Sequence, residues 1–336
     1  MIKEAMLYEK LEDGNVRCNL CAHRCTINPE RQGVCGVRGN RDGVLYSMAY
    51  GTLIAQNVDP IEKKPFFHVY PASRSYSIAT MGCNFFCDFC QNHDISQAPR
   101  KTKMIYGEDS LPSDIVDRTK ESGAKTIAYT YTEPTVFFEL AYDTAKIAAA
   151  SGLKNVFVTN GFMTPEAIEI IAPYLSAANV DLKSFRDEFY KKRCGARLAP
   201  VLDSLKKMKE RGIWVEITTL LIPSLNDSEE EMRDIARFIA GLGRETPWHI
   251  SRFHPQYKMQ HLPVTPLESL HRAGQIGREA GLKYVYSGNV PGDDAENTRC
   301  FHCGKLLIER YGFKIIGTNL QKNKCSHCGT QLEGIF

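Results

Sequence analysis

Short apolar runs alternate with longer amphipathic stretches between about residues 76 and 286. The apolar runs are rich in β-branched and aromatic residues, and most are short enough to be buried strands. The predicted strands are Tyr76–Thr80, Thr126–Tyr129, Asn155–Thr159, Ala177–Leu182, Trp214–Ile222, His249–Phe253 and Lys283–Tyr286.

The stretches between these runs have the signals of helices. The clearest are LPSDIVDRTKESG, MTPEAIEIIAPYL and LNDSEEEMRDIARFIAGLG. In the second, Thr164 is the expected N-cap and Pro165 the first helical residue. Regular alternation of strand and helix indicates parallel strands joined by right-handed crossovers. The predicted fold class is therefore α/β, a partial or full TIM-like (β/α) barrel, with functional residues at the carboxyl ends of its strands.

Composition narrows the class of protein. The 336 residues carry 42 basic and 39 acidic side chains, a net charge of +3 that does not favour nucleic acid or a membrane surface as partner. The start, MIKEAMLYEKLEDG, lacks the apolar run of a signal peptide, and no later segment has the length of a membrane span. We expect a cytoplasmic protein, where cysteines are more often metal ligands than disulfides.

The 12 cysteines form three groups and one singleton, Cys194. The groups are Cys18, Cys21, Cys25 and Cys35; Cys83, Cys87 and Cys90; and Cys300, Cys303, Cys325 and Cys328. A lone thiol such as Cys194 is usually a small buried hydrophobe. The distribution predicts a Cys-rich N-terminal metal-binding extension at 1–75, a core at 76–296 and a four-cysteine tail at 297–336.

The middle group has the spacing C-x3-C-x2-C within MGCNFFCDFCQN, directly after the first predicted strand. Three thiolates on one short loop do not complete a tetrahedral zinc site unless another side chain, such as His93, supplies the fourth ligand. They do suit a [4Fe–4S] cluster with one iron left free to bind a small molecule.

This spacing, with the aromatic Phe89 before the last cysteine, resembles the motif of the radical S-adenosyl-L-methionine (SAM) superfamily. Together with the Cys-rich ends, the segment EKKPFFHVYPASRSYSIATMGCNFFCDFCQN is similar to the AmmeMemoRadiSam-system radical SAM enzymes, which are related in turn to pyruvate formate-lyase activating enzyme. The resemblance implies a [4Fe–4S] cluster and SAM as cofactors. It also implies reductive cleavage of SAM to a 5′-deoxyadenosyl radical, which abstracts hydrogen from a substrate.

Segments at later strand ends resemble the activating enzymes of glycyl radical enzymes. The resemblance implies SAM contacts from Phe89, Thr132, Glu133, Asn160, Asp181, Lys183, Thr218 and His254. Lys183 and His254 are the candidate catalytic residues. Two positions depart from the pattern: Val158 stands where those enzymes often have a cation-binding acid, and Thr218 where they have an arginine for the SAM carboxylate. We therefore do not predict a cation site beside Val158.

The tail and the N-terminal extension predict peripheral metal sites. The tail has two C-x2-C-G knuckles separated by 21 residues, typical of zinc-ribbon and rubredoxin-like sites, so zinc is expected and iron is the alternative. The extension has the spacing C-x2-C-x3-C-x9-C, which favours a structural zinc site over an auxiliary cluster. In the extension, His23 is a further potential ligand.

The resemblance to the activases favours a protein or peptide substrate. A small metabolite or modified nucleotide is the alternative for the same chemistry, and a non-catalytic metal-bound scaffold or partner-binding protein is the alternative of another class. The expected partners are an electron donor of the flavodoxin or ferredoxin type and, by family resemblance, Memo and AMMECR proteins.

Overall fold

The computed structural model describes residues 1–336 and is built around one eight-stranded sheet. The strands of the N-terminal part are β1 (Lys3–Glu4), β2 (Tyr8–Lys10), β3 (Val16–Cys18), β4 (Thr26–Ile27), β5 (Arg38–Arg41), β6 (Val44–Ser47), β7 (Thr52–Leu53), β8 (Ala55–Pro60) and β9 (Arg74–Ala79). The middle of the chain forms β10 (Glu108–Asp109), β11 (Thr126–Tyr129), β12 (Lys154–Thr159), β13 (Leu175–Asp181), β14 (Trp214–Leu221), β15 (Trp248–Arg252) and β16 (Val285–Gly288). The tail forms β17 (Thr298–Arg299), β18 (Leu306–Tyr311), β19 (Lys314–Thr318), β20 (Leu320–Gln321) and β21 (Lys324–Cys325).

Helices connect the strands of the middle region. They are α1 (His93–Ser96), α2 (Ala98–Thr102), α3 (Pro112–Glu121), α4 (Phe138–Ala150), α5 (Pro165–Ile171), α6 (Asp187–Phe189), α7 (Ala199–Glu210), α8 (Glu229–Leu242) and α9 (Leu267–Glu279). Helix α6 continues directly into a π-helix at Tyr190–Cys194. None of the helices combines the length and the apolarity needed to cross a bilayer.

The sheet has the strand order β16-β15-β14-β13-β12-β11-β9-β8. All neighbours from β9 to β16 are parallel, and β8 is an antiparallel edge strand on β9. The predicted strands and the three predicted helices are confirmed, with small differences at their ends. The Thr164 hydroxyl caps α5 by accepting the Ala167 N–H at 3.3 Å. Strand β8 was not predicted because its polar sequence AQNVDP is that of a partly exposed edge.

The two edges of the sheet, β8 and β16, are not paired with each other. A full barrel closed by hydrogen bonds, one of the two predicted forms, is therefore not found. The segment between β8 and β9 fills the interior instead. Its apolar side chains Ile61, Phe66 and Val69 pack against small inward-facing residues of the sheet such as Ala128 and Ala177. The predicted division into 1–75, 76–296 and 297–336 stays a prediction, although β8 lies before residue 76 and pairs with the central sheet.

A buried carboxylate fixes this filling segment. Glu216 on β14 accepts the backbone N–H groups of Phe67 at 3.0 Å and His68 at 2.9 Å, and it contacts the His249 ring at 2.6 Å. The donors offset the cost of burying a charged group. The His249 hydrogen bond and nearby imidazoles keep the pKa of Glu216 below its usual value although burial raises it.

The tail docks on the same segment. The His68 ring contacts the Glu333 carbonyl at 2.7 Å through Nδ1 and the Tyr286 hydroxyl at 2.7 Å through Nε2. The guanidinium carbon of Arg310 in the tail lies 4.0 Å from the centre of the Phe67 ring. The Arg310 Nη2 donates to the Phe67 carbonyl at 3.2 Å. The tail therefore covers the filling segment beside edge strand β16.

The buried His68 predicts a pH dependence of stability. Burial lowers the pKa of His68 to about 4, whereas in the unfolded chain it is about 6.5. Below about pH 6.5 the unfolded state takes up a proton that the folded state does not, so stability falls as the pH approaches 4. From about pH 7 to about pH 5 we expect His68 to account for a loss of roughly 2 kcal/mol in the free energy of unfolding.

Denaturant unfolding of the wild type and of His68→Gln at both pH values measures this contribution. The variant is expected to be less stable at pH 7 but to lose less stability on acidification. Equal losses in the two proteins would contradict the assignment.

Candidate active site

The loop that carries Cys83, Cys87 and Cys90 follows β9 at the carboxyl edge of the sheet. All three side chains line a cavity of about 520 Å³, within the usual size range of ligand pockets. Two backbone hydrogen bonds hold the loop, from the Phe86 N–H to the Cys194 carbonyl at 2.8 Å and from the Asp88 N–H to the Arg193 carbonyl at 3.0 Å. Both carbonyls belong to the π-helix, a local irregularity that is frequent at functional sites.

The surroundings of the three thiols raise their pKa values. Burial raises the pKa of Cys83 and of Cys90, whose sulfur lies 3.3 Å from the Ser96 hydroxyl. The neighbouring Cys194 thiol, together with burial, raises the pKa of Cys87. Thiols bind a metal as thiolates, so each of them loses its proton when a metal binds. The lone Cys194 is buried, as expected, but it lies beside a candidate cluster ligand.

Glu133 follows β11 and joins its end to that of β12. Its Oε1 accepts the Thr135 hydroxyl at 2.6 Å, the Thr135 N–H at 3.1 Å and the Thr159 hydroxyl at 2.7 Å. Its Oε2 accepts the Asn160 N–H at 2.8 Å. A carboxylate offers about four acceptor positions, two on each oxygen, so Oε2 retains capacity for a further donor.

Asn160 links the β12 end to the cysteine loop. Its Nδ2 donates to the Asn84 Oδ1 at 2.7 Å, and its Oδ1 accepts the Phe162 N–H at 3.0 Å. The centre of the Phe162 ring lies in turn 4.8 Å from the centre of the His23 ring in the N-terminal extension. The side chain of Asn160 is thus oriented at the cavity wall before any ligand binds.

Asp181 and Lys183 form an ion pair of 2.8 Å at the end of β13. The Lys183 side chain is largely buried, and its amine lies 5.7 Å from the centre of the Phe89 ring. Burial lowers the pKa of Lys183, but the Asp181 carboxylate and the nearby Cys87 and Cys194 sulfurs together raise it, so the net pKa lies well above the usual value. Lys183 is therefore a fixed positive charge on the wall of the cavity that Glu133 also lines.

The remaining predicted site residues separate into two groups. Phe89, Thr132 and Thr218 line the cavity, and the Thr218 hydroxyl donates to the Asn179 Oδ1 at 2.8 Å. His254, which follows β15, is exposed and does not line the cavity. Ser251 from the same strand lines it instead.

Several lining residues were not predicted. Lys64 is buried beside Asp59, and burial lowers the pKa of its amine to about 8. The same carboxylate accepts the hydroxyl of Tyr131, a lining residue that the sequence does indicate, because it directly precedes Thr132 and Glu133. Lys63, Lys64 and Pro65 lie within the predicted N-terminal extension, after its four cysteines, where the sequence has no periodic pattern. Phe313 reaches the cavity from the tail, and only the fold brings it there.

The tail cysteines have the geometry of a site for one ion. The distance between the sulfurs is 3.7 Å for Cys300 and Cys328 and 3.8 Å for Cys303 and Cys325, and all four lie within 4.8 Å of one another. A tetrahedral ion with metal–sulfur bonds of about 2.3 Å requires sulfur–sulfur distances of about 3.8 Å. The tail therefore fits one zinc ion or one iron ion.

The other two cysteine groups differ from the tail. No group of three or more potential ligand atoms outside the tail converges within 4.8 Å. Cys18, Cys21, Cys25 and Cys35 instead line a second, small cavity in the N-terminal extension. His93, the potential fourth ligand of the middle group, stacks on Tyr257 at 4.3 Å and does not line the 520 Å³ cavity.

Comparison with known proteins agrees with this arrangement. The family model of the radical SAM superfamily matches residues 77–239. An uncharacterized protein of Methanocaldococcus jannaschii is 47% identical over 95% of this chain and 96% of its own length. A putative glycyl-radical enzyme activating enzyme of the same organism is 25% identical over 54% of this chain and 68% of its own length. The isethionate sulfite-lyase activating enzyme of Oleidesulfovibrio alaskensis is 23% identical over 50% of this chain and 56% of its own length.

The fold is also found in solved structures. A radical SAM methyltransferase from Sphaerobacter thermophilus has a TM-score of 0.52 and 15% identity, covering 88% of this chain and 80% of its own. The family model and the relatives, rather than this structural likeness, show that the chain belongs to the radical SAM superfamily, with activating enzymes among its relatives. Membership supports an enzyme and implies a [4Fe–4S] cluster and SAM as cofactors. The cavity fits both groups, since three thiols line it together with Glu133, Asn160 and Lys183.

The tail geometry predicts one tightly bound ion per chain. In Cys325→Ala, the tail loses a buried ligand, and we expect the loss of one equivalent of zinc or mononuclear iron together with a lower melting temperature of the tail. Elemental analysis of the purified protein measures the ion. Cys194→Ala is the matched control and should retain it; retention of the ion by Cys325→Ala would contradict the assignment.

Proposed function

We propose that the protein reductively cleaves SAM at a [4Fe–4S] cluster held by Cys83, Cys87 and Cys90, and abstracts hydrogen from a protein or peptide substrate. The observation that carries the proposal is the single cavity lined both by the three loop thiols and by polar residues at successive strand ends. When bound, the cluster and SAM would supply the one-electron cleavage that gives a 5′-deoxyadenosyl radical. The protein's own side chains would bind and orient these two groups.

The roles of these side chains follow from their charges. We assign the free acceptor position on the Glu133 Oε2 to the SAM amino group, with Asn160 orienting the neighbouring backbone. Lys183, paired with Asp181, would attract the SAM carboxylate. Phe89, Thr132 and Thr218 would complete the walls. His254 keeps its assigned role only as a prediction, because it would need to turn inward to reach SAM.

A protein or peptide substrate is supported by the activating enzymes among the relatives, which by name act on other enzymes. In the same reading, the electron comes from a donor of the flavodoxin or ferredoxin type. Assignment to the AmmeMemoRadiSam group, and association with Memo and AMMECR proteins, are part of the proposal and rest on the sequence resemblance.

One observation favours the alternative of a small metabolite or a modified nucleotide. Phe313 extends from the turn between β18 and β19 to the cavity, so the tail forms part of the rim. A rim of this kind narrows the approach for a folded partner and suits a compact substrate. The candidate substrates therefore include both a glycine-containing peptide loop and free metabolites.

The chemistry is tested by anaerobic reconstitution with iron and sulfide, followed by reduction in the presence of SAM. We expect methionine and 5′-deoxyadenosine as products in the wild type and none in Cys87→Ala, because the variant lacks a cluster ligand. Liquid chromatography measures both products. Reconstituted wild-type protein that binds no SAM would instead support a non-catalytic scaffold, and turnover on a metabolite rather than a peptide would exclude the activase reading.

The assigned SAM contacts predict an effect on binding. Glu133→Gln replaces one acceptor oxygen by an amide, and Lys183→Met removes the cation, so each should weaken SAM binding by about tenfold or more. Titration calorimetry on reconstituted protein measures the dissociation constant. Glu210→Gln and Lys192→Met change exposed residues and are the matched controls. Unchanged affinity in both cavity variants would contradict the assignment.

A further inference from the structure

We propose that Cys18, Cys21, Cys25 and Cys35 bind a second iron–sulfur cluster, rather than the zinc ion that their spacing favours. The site is separate from the cavity that holds Cys83, Cys87 and Cys90. The four cysteines stand around β3 and β4 in the N-terminal extension, and the structure brings all of them to one enclosed space.

The first argument is the spacing of the sulfurs. The four thiols line a cavity of about 20 Å³, so they surround a common space. A tetrahedral zinc ion holds its sulfurs only about 3.8 Å apart, because each sulfur lies about 2.3 Å from the ion. The tail provides the comparison within the same chain: its sulfurs converge to 3.7 and 3.8 Å, whereas no three sulfurs of the extension lie within 4.8 Å of one another. The sulfurs of Cys83, Cys87 and Cys90 likewise do not all lie within 4.8 Å of one another.

The second argument is a buried donor without a partner. Arg38 lines the same cavity and is only 2% exposed. Its Nη1 donates to the Glu139 carboxylate at 2.8 and 3.0 Å, and its Nη2 donates to the Met6 carbonyl at 3.0 Å. Its Nε has no partner. Buried donors are costly when unpaired, and a thiolate or inorganic sulfide of a cluster in this cavity would accept the Nε–H.

The walls of the cavity are suited to a redox group. Between the thiols the lining is apolar and includes Leu20, Ile27, Val34 and Val136. Such walls exclude water, and the unpaired Arg38 Nε–H is a hydrogen-bond donor for a thiolate or sulfide. Both features are among those by which proteins set the potential of an iron–sulfur cluster.

The third argument is the position of the cavity next to the catalytic loop. The Cys35 carbonyl lies 3.2 Å from the place that a Cβ on Gly82 would occupy, so only glycine fits there without a shift. Arg100 donates to the Val34 carbonyl at 2.6 Å and to the Phe85 carbonyl at 2.9 Å. The backbone around Cys35 is thus in direct contact with the backbone beside Cys83.

This contact gives the second cluster a function, which rests on the proposed radical SAM activity. One electron passes from a reduced donor of the flavodoxin or ferredoxin type to the cluster of the extension, oxidising the donor. The same electron then passes to the cluster of the catalytic loop, which is reduced. No bond forms or breaks, and no proton moves in either step.

The site is tested in the full chain with the triple variant Cys83→Ala, Cys87→Ala, Cys90→Ala, which leaves the extension intact. After anaerobic reconstitution we expect it to retain sulfide and an equal amount of iron, in addition to any iron ion of the tail, with the Mössbauer signature of a cluster. Further replacement of Cys18 and Cys35 by alanine should remove the sulfide and the matching iron. Cys328→Ala, which changes a ligand of the tail only, should retain the full sulfide content.

The overturning result is a triple variant that holds no sulfide and carries a zinc ion in addition to the ion of the tail. The metal and sulfide content of the triple variant distinguishes a cluster from a zinc ion even if replacement of Cys18 and Cys35 unfolds the extension, because both cysteines are intact in the triple variant. It is also independent of SAM cleavage: if the wild type holds a cluster in the extension but none on Cys83, Cys87 and Cys90, the proposed function fails and this inference stands.

The relay has its own test in the variant Cys18→Ala, Cys35→Ala. Cleavage of SAM driven by a reduced flavodoxin should be lost, while cleavage driven by dithionite, which can reduce the catalytic cluster directly, should be retained. Thermal unfolding of the variant shows whether the core is intact. The relay would be overturned if the ratio of flavodoxin-driven to dithionite-driven SAM cleavage were the same in the wild type and in the variant.

Discussion

The parallel pairing of β9 and β11–β16 is the constraint on which the site depends. Because these strands all run in one direction, their carboxyl ends meet at one edge, and loops far apart in the sequence become neighbours. The other end of the interior is blocked by the segment that contains Phe66, Phe67 and His68, held by Glu216. The space that remains is therefore open on the side where the cysteine loop lies. The fold thus forms a cavity without closing a complete barrel.

The sequence-based predictions were accurate where a pattern is local. Buried parallel strands are short runs of β-branched and aromatic residues, and they are visible without any knowledge of their neighbours. The spacing of Cys83, Cys87 and Cys90 likewise predicts a cluster loop, and the structure places all three side chains at one cavity. Strand β8 was not predicted because an edge strand with partly exposed side chains has no such pattern.

Isolated residues were harder to interpret. Glu216 lies in an otherwise apolar strand, and its role depends on backbone donors from a segment almost 150 positions earlier in the chain. Lys64 and Phe313 reach the cavity from outside the repeated strand and helix units, so no strand end indicates them. His254 was assigned from a strand end, but the chain leaves the sheet there with that side chain exposed. The position of a residue at a strand end therefore predicts the edge of the sheet at which the site lies. Which side chains face the site depends on tertiary contacts.

The docking of the tail has a consequence for how much of the chain can fold by itself. The region matched by the superfamily model, 77–239, does not include the edge strands β8 and β16. It also lacks the segment that fills the interior and the tail residues that cover that segment. A fragment cut at those limits would expose Ala128, Val156 and Ala177 to water and would leave Glu216 without its backbone donors. The part of the molecule that carries the shared chemistry is thus smaller than the part that must be synthesised together for that chemistry to have a stable scaffold.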